Sequence, residues 1–247
     1  MKGLGKVLQK LKKMSLKKNL HNLSEKIENL SPIAGLAFLS DLFRNKVVFS
    51  TSLGQEDQVI TQMIADNLIP IHIFSLDTGR LFPETLDLIA RTESKYHTKI
   101  KVLYPERESV ENLVEKIGIN GFYNSVENRK GCCYVRKVEP LKRALKGNSI
   151  WVTGLRAEQS ANRSEMRKIE WDEANQIIKY NPLLDWSFGE MIAYINENNI
   201  PYNPLHDKGF ISIGCAPCTR AILPGEDARA GRWWWEDSKK ECGLHAR

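Results

Sequence analysis

A chain of 247 residues with 42% hydrophobic and 9% aromatic content can bury a real core, enough for one sizeable α/β domain or two small ones. No apolar run approaches the roughly 18 residues of a membrane helix, and the N-terminus lacks the apolar core and small-residue cleavage site of a secretory signal, so a cytoplasmic chain with reduced thiols is expected. The net charge of +6 is unevenly spread: residues 1–20 hold seven lysines and no acid, which leaves the remainder at −1 and weakens a nucleic-acid reading based on overall basicity.

Leu4, Val7, Leu8, Leu11 and Met14 recur at helical spacing in the lysine-rich start, which predicts an amphipathic helix with a solvated lysine face. A disordered arm or a surface for an acidic partner remain alternatives. The lack of arginine there argues against an organellar transit peptide. Residues 1–45 form an N-terminal helical, lysine-rich segment in this reading, and 46–247 a single domain. Within the domain, apolar β-branched runs predict strands at 46–52, 69–78, 99–105 and 148–156. Helical periodicity predicts helices at 56–67, 83–97 with Pro83 at its first turn, 108–118 ending at Gly118, and 187–199 capped by Ser187. Strands alternating with helices imply crossover connections and an α/β fold with a mainly parallel sheet flanked by helices. After Pro201 the sequence is rich in Pro, Gly, Cys and Trp and reads as irregular.

Ligands of open parallel sheets sit at the carboxyl ends of the strands. Three such ends carry glycine with small hydroxyl residues: STSLGQED (50–57), SLDTGR (75–80) and TGLRAEQS (153–160). The first is neither a Walker loop nor a dinucleotide fingerprint. Alone it fits an ordinary capped helix as well as an anion site; the three together favour a phosphate or nucleotide.

The five cysteines point to metal, redox or nucleophilic roles. Cys132 and Cys133 stand side by side in KGCCYVR, and Cys215 and Cys218 lie in GCAPC. Four thiolates suit a tetrahedral zinc or a 4Fe-4S cluster, and adjacent cysteines splay apart, which favours the wider cluster. Cys242, in ECGLHAR, has Lys239 and Lys240 before it and His245 after it; nearby cations raise thiolate content. It is a mobile-tail nucleophile or an incidental thiol on this basis alone. Arg229 and Arg232 can fork phosphate or sulfate oxygens, and Trp233, Trp234 and Trp235 most simply anchor the C-terminal segment.

Taken in order, SLGQED, SLDTGRLFPET, CCYVRKVEPL, TGLRAEQS, ISIGCAPCTRAILPGE, GRWWWE and ECGLH resemble the assimilatory adenylyl-sulfate reductases of bacteria, from about residue 46 to the end. The resemblance implies an adenine-nucleotide α-hydrolase-like fold and reduction of adenosine 5′-phosphosulfate (APS) to sulfite and AMP by thioredoxin, in sulfate assimilation and cysteine biosynthesis. It implies that Cys132, Cys133, Cys215 and Cys218 ligate a 4Fe-4S cluster and that Cys242 attacks the substrate, forming an S-sulfocysteine. It also implies that Lys137, Arg229, Arg232 and His245 surround the phosphosulfate, while Ser52, Gly54, Leu76, Gly154, Arg156 and Arg163 line the nucleotide site. Expected partners are thioredoxin and the small-molecule nucleotide, with no nucleic acid or membrane; homo-oligomerisation is left open. The rival readings are reduction of the 3′-phosphorylated nucleotide (PAPS), alone or alongside APS, an ATP-using nucleotidyl transferase of the same fold, and a non-enzymatic iron–sulfur carrier.

Overall fold

A computed structural model describes residues 16–159 and 165–236. Its strands are β1 (Val47–Ser50), β2 (His72–Leu76), β3 (Ile100–Leu103), β4 (Ile150–Val152), β5 (Ile169–Asp172) and β6 (Ile177–Tyr180). They form one sheet in the order β3-β2-β1-β4-β6-β5. All neighbours run parallel except β5, which is antiparallel to β6. Val48 of β1 faces His72 on one side and Trp151 on the other.

Both faces of the sheet are covered, and the alternation of strand side chains shows it. Val47 and Phe49 enter one core and Val48 another; Ile150 and Val152 likewise oppose Trp151. The larger core also takes Leu23 and Ile27 from α1 (Leu20–Glu28), Leu36 and Leu39 from α2 (Pro32–Leu42), Val59, Ile60, Met63 and Ile64 from α3 (Gln55–Asp66), Leu88 and Ile89 from α4 (Pro83–Tyr96), and Met191 and Ile195 from α8 (Phe188–Glu197). The smaller core takes Leu141 and Leu145 from α7 (Glu139–Leu145). The buried indole of Trp151 is satisfied by Ser50 Oγ, which accepts from Nε1 at 2.8 Å. Two further helices, α5 (Arg107–Ile117) and α6 (Val126–Cys133), complete the set used below.

The strands expected up to residue 156 and the helices expected at 56–67, 83–97, 108–118 and 187–199 are present, with ends shifted by at most four residues. Ser187 caps α8 in a reciprocal capping box: its hydroxyl accepts from Glu190 N at 3.2 Å, and Glu190 accepts from Ser187 N at 2.7 Å. Two features lack a sequence signal. One is the β5–β6 hairpin. The other is a helical run in which α6 passes through a π turn (Tyr134–Val138) into α7. Beyond α8 the described chain has short 3-10 turns and one isolated bridge, Thr219 to Arg232. Among the described residues no helix is long and apolar enough to cross a membrane. The lysine-rich helix expected over the first residues lies outside the described part.

Candidate functional site

The strand order reverses direction between β1 and β4. That is where an open α/β sheet forms a crevice. Here it holds a cavity of about 510 Å³, within the size range of small-molecule sites. After β1, Thr51 N donates to the Phe74 carbonyl at 2.8 Å and Thr51 Oγ1 accepts from Leu53 N at 3.0 Å. Leu53 is buried with φ of 60°, a left-handed conformation that a non-glycine residue adopts only when its surroundings hold it. Gly54 then starts α3.

Asp57 ties this turn to the end of β4. Its carboxylate accepts from Ser52 N at 2.6 Å and Ser52 Oγ at 2.7 Å, and from the backbone of Gly154. A Cβ at position 154 would overlap that carboxylate, so the close approach needs glycine. Burial disfavours the ionised form and lifts Asp57 to about 6, against the opposing pull of the Ser52 and Gly154 hydrogen bonds. Arg156 also lines the cavity. Its guanidinium donates to Glu56 at 2.9 Å, Glu158 at 2.9 Å and the Trp186 carbonyl at 3.2 Å. It is a fixed, charge-matched part of the wall, packed 5.7 Å from the Phe188 ring.

Lys137, Arg229 and Arg232 line the same cavity. Arg229 and Arg232 lie 6.0 and 4.7 Å from the ring of Trp233, which is buried and has φ of 43°. The Arg232 guanidinium sits against Gly214, where a Cβ would collide with it. Trp233 and Trp235 pack inward while Trp234 is 41% exposed.

Next to these cations lies a thiol pocket. Cys215, Cys218 and Trp233 form a buried cluster with Phe122, and Cys132 and Trp235 pack on it. Thr78 Oγ1 is 3.2 Å from Cys215 Sγ, and Arg136 donates to the Thr78 carbonyl at 2.6 Å. Cys133, half-buried, adjoins Cys132 where α6 meets the π turn, a helical irregularity frequent at functional sites. Burial pushes the Cys218 thiol up to about 12 although Lys137 and Arg232 pull it down; the Cys132 thiol is raised by burial too, against Arg136 and Arg80. Among the described residues no three His, Cys, Asp or Glu side chains are arranged to hold a single metal ion. The pocket does suit a wider anionic group bound through sulfur. Three thiols converge, four basic side chains act on them, and the buried N–H groups of Arg136 Nε, Arg232 Nε, Trp233 Nε1 and Trp235 Nε1 have no partner among the described residues.

Of the residues singled out in the sequence, Ser52, Gly54, Leu76, Lys137, Gly154, Arg156, Arg229 and Arg232 line one cavity. Cys242, His245 and Arg163 lie outside the described residues. Sequence reasoning assigned no role to Asp57, Thr78 or Arg136. Asp57 closes the SLGQED turn and Arg136 stands within the cysteine-doublet motif, so their positions, though not their contacts, were in view.

This combination defines an α/β protein of the adenine-nucleotide α-hydrolase type: a strand-end cavity lined by basic side chains, here set against buried thiols. The chain belongs to the phosphoadenosine phosphosulfate reductase domain family, whose model matches residues 46–221. Adenosine 5′-phosphosulfate reductase of Allochromatium vinosum is 55% identical over 217 residues, covering 87% of this chain and 85% of that one. The enzyme of the same name from Agrobacterium fabrum is 52% identical, covering 87% and 81%. Among solved structures, phosphoadenylyl-sulfate (PAPS) reductase from Candida auris, a phosphate complex, superposes with a TM-score of 0.70 at 30% identity, covering 83% of this chain and 97% of that one. A Candida glabrata FMN adenylyltransferase, at 16% identity and a TM-score of 0.50, shares the fold alone and covers 94% and 86%.

Proposed function

We infer that this chain reduces APS to sulfite and AMP in sulfate assimilation, with Cys242 as nucleophile and reduced thioredoxin as electron donor. The observation that carries the reading is the meeting of a strand-end cavity lined by Lys137, Arg229 and Arg232 with a buried thiol pocket, in a chain 55% identical to a protein named for that reaction.

The Cys242 thiolate attacks the sulfuryl sulfur of APS. An S–S bond forms, the bond from sulfur to the bridging phosphate oxygen breaks, and AMP leaves with the electron pair. Lys137, Arg229 and Arg232 offset the charge that builds on the departing phosphate, in a partly buried setting where fixed cations act strongly. Asp57 holds Ser52 and Gly154 in place for the nucleotide. A thioredoxin thiolate then attacks Cys242 Sγ; the S–S bond breaks and sulfite leaves with the electron pair. The second thioredoxin thiol releases Cys242 by exchange, so the donor dithiol becomes a disulfide and supplies both electrons.

Cys132, Cys133, Cys215 and Cys218 would hold a 4Fe-4S cluster. Bound there, it would fix two distant segments and shape the field around Lys137. The unpartnered donors and the basic surround support that assignment.

The reading is tested with Cys242→Ser. The variant should keep its iron and bind AMP like the parent, yet neither release sulfite nor retain radiolabelled sulfonate from APS. Sulfite formation at the parent rate would remove Cys242 from the mechanism. Assays with both nucleotides should show turnover of APS in preference to PAPS; the opposite order would overturn the substrate assignment.

A further inference from the structure

The helix bearing the cysteine doublet and the segment that leads to the C-terminus are joined by a buried ion pair outside the cavity. Arg129, on α6 three residues before Cys132, donates from Nε to Glu236 Oε1 at 3.0 Å and from Nη2 to Oε2 at 2.8 Å. The two side chains are 2% and 3% exposed. The Arg129 guanidinium also lies 4.6 Å from the ring of Trp233. Trp233 N donates to the Cys218 carbonyl at 3.3 Å, and Glu236 N donates to the Trp233 carbonyl at 2.9 Å. One guanidinium therefore links the doublet helix to a turn that is itself bonded to the second cysteine pair.

Such a pair is a costly way to hold a fold together, since two ions lose their water, and apolar residues of similar volume are often as stabilising. Its advantage is geometric. A forked, two-point bond fixes both distance and orientation. Glu236 stands six positions before Cys242, a span of at most about 22 Å in extended chain. The point from which the chain departs at Glu236 thus limits where the Cys242 thiol can reach.

We propose that Arg129 and Glu236 are positioning residues whose ion pair fixes the root of the C-terminal segment against the cysteine-doublet helix and thereby sets the approach of Cys242 to the substrate sulfur. This rests on the reading of Cys242 as nucleophile. Neither side chain lines the cavity, so ground-state binding of the nucleotide should be independent of the pair.

The test uses the full chain with its iron in place. Glu236→Gln should lower kcat and the single-turnover rate of radiolabelled sulfonate transfer to the protein by on the order of 100-fold, the cost of a misplacement of about an ångström. KM for APS, AMP affinity and iron content should stay within about threefold of the parent. Arg129→Lys, which keeps the charge and loses the fork, should fall between parent and Glu236→Gln. The double variant Arg129→Gln/Glu236→Gln should recover part of the loss, because the buried site then holds neither charge. If Glu236→Gln does not fold, Arg129→Lys carries the test. Parent kcat in a folded single variant would overturn the proposal, and so would a loss of activity that merely tracks lost iron. Cys242→Ser, assayed alongside, separates the failures. If it turns over, the nucleophile reading fails; if it is inactive while the clamp variants are fully active, the clamp alone fails.

Discussion

Asp57→Asn isolates the cost of an ionised carboxylate beneath the nucleotide turn. Asp57 is buried, and burial raises it from 3.8 to about 6. That difference of about 2 pKa units corresponds to about 3 kcal/mol. Well below about pH 4 the carboxyl is neutral in both the folded and the unfolded chain, so little is lost. Between about pH 4 and 6 the unfolded chain ionises while the folded one resists, so stability falls as pH rises; above about pH 6 both are ionised and the loss is complete. Asparagine does not titrate. The stability of the parent relative to Asp57→Asn should therefore fall by about 2.5 kcal/mol between pH 4 and pH 7, or about 5–10 °C in Tm for a chain of this size. Melting both proteins by circular dichroism at pH 4, 5, 6 and 7 and fixed ionic strength measures it. A difference in Tm that is the same at every pH would refute the reasoning. The asparagine also brings an N–H₂ group where Ser52 and Gly154 present donors, so AMP binding should weaken by about tenfold at pH 7 through a lost hydrogen bond.

Gly154→Ala should raise the dissociation constant for AMP by tenfold or more, because the new methyl displaces the Asp57 carboxylate that holds Ser52; titration calorimetry reads it. If the four cysteines hold the proposed cluster, the parent should contain about four iron and about four acid-labile sulfide per chain and Cys218→Ser should lose both together, as colorimetric analysis would register. Ser187→Ala removes the hydroxyl of a complete capping box and should cost about 1 kcal/mol in a urea melt.

The four strands from 47 to 152 were legible because parallel strands buried on both faces read as unbroken apolar runs, as in VVF and IWV. The cysteine-doublet helix was not. RKGCCYVRKVEP offers no repeating apolar stripe, contains Gly131 and Pro140, and passes through a π turn that shifts the helical period. The β5–β6 hairpin was hidden for another reason: IEWDEANQIIKY has an acidic first half, and its pairing depends on β4 lying beside β6. In the site, the glycines Gly54 and Gly154 could be read from strand-end motifs, Arg229 and Arg232 from the segment before the tryptophans, and Lys137 from the resemblance. What they touch could not, because Asp57 meets Gly154 and Arg129 meets Glu236 across 97 and 107 residues of chain. Arg156 illustrates the limit. The resemblance put it in the nucleotide site and it does line the cavity, but with its charge already matched by Glu56 and Glu158.

The two cysteine pairs lie 82 residues apart, from Cys133 to Cys215. Any group that bonds to both closes a ring of that size in the covalent chain. By the entropy of ring closure alone, such a bridge removes about 4–5 kcal/mol of freedom from the unfolded chain. Most of that ring is the stretch holding β4, β5, β6 and α8. Metal loading would thus act as a cross-link on half the sheet, and chelation should lower the unfolding midpoint far from any cysteine.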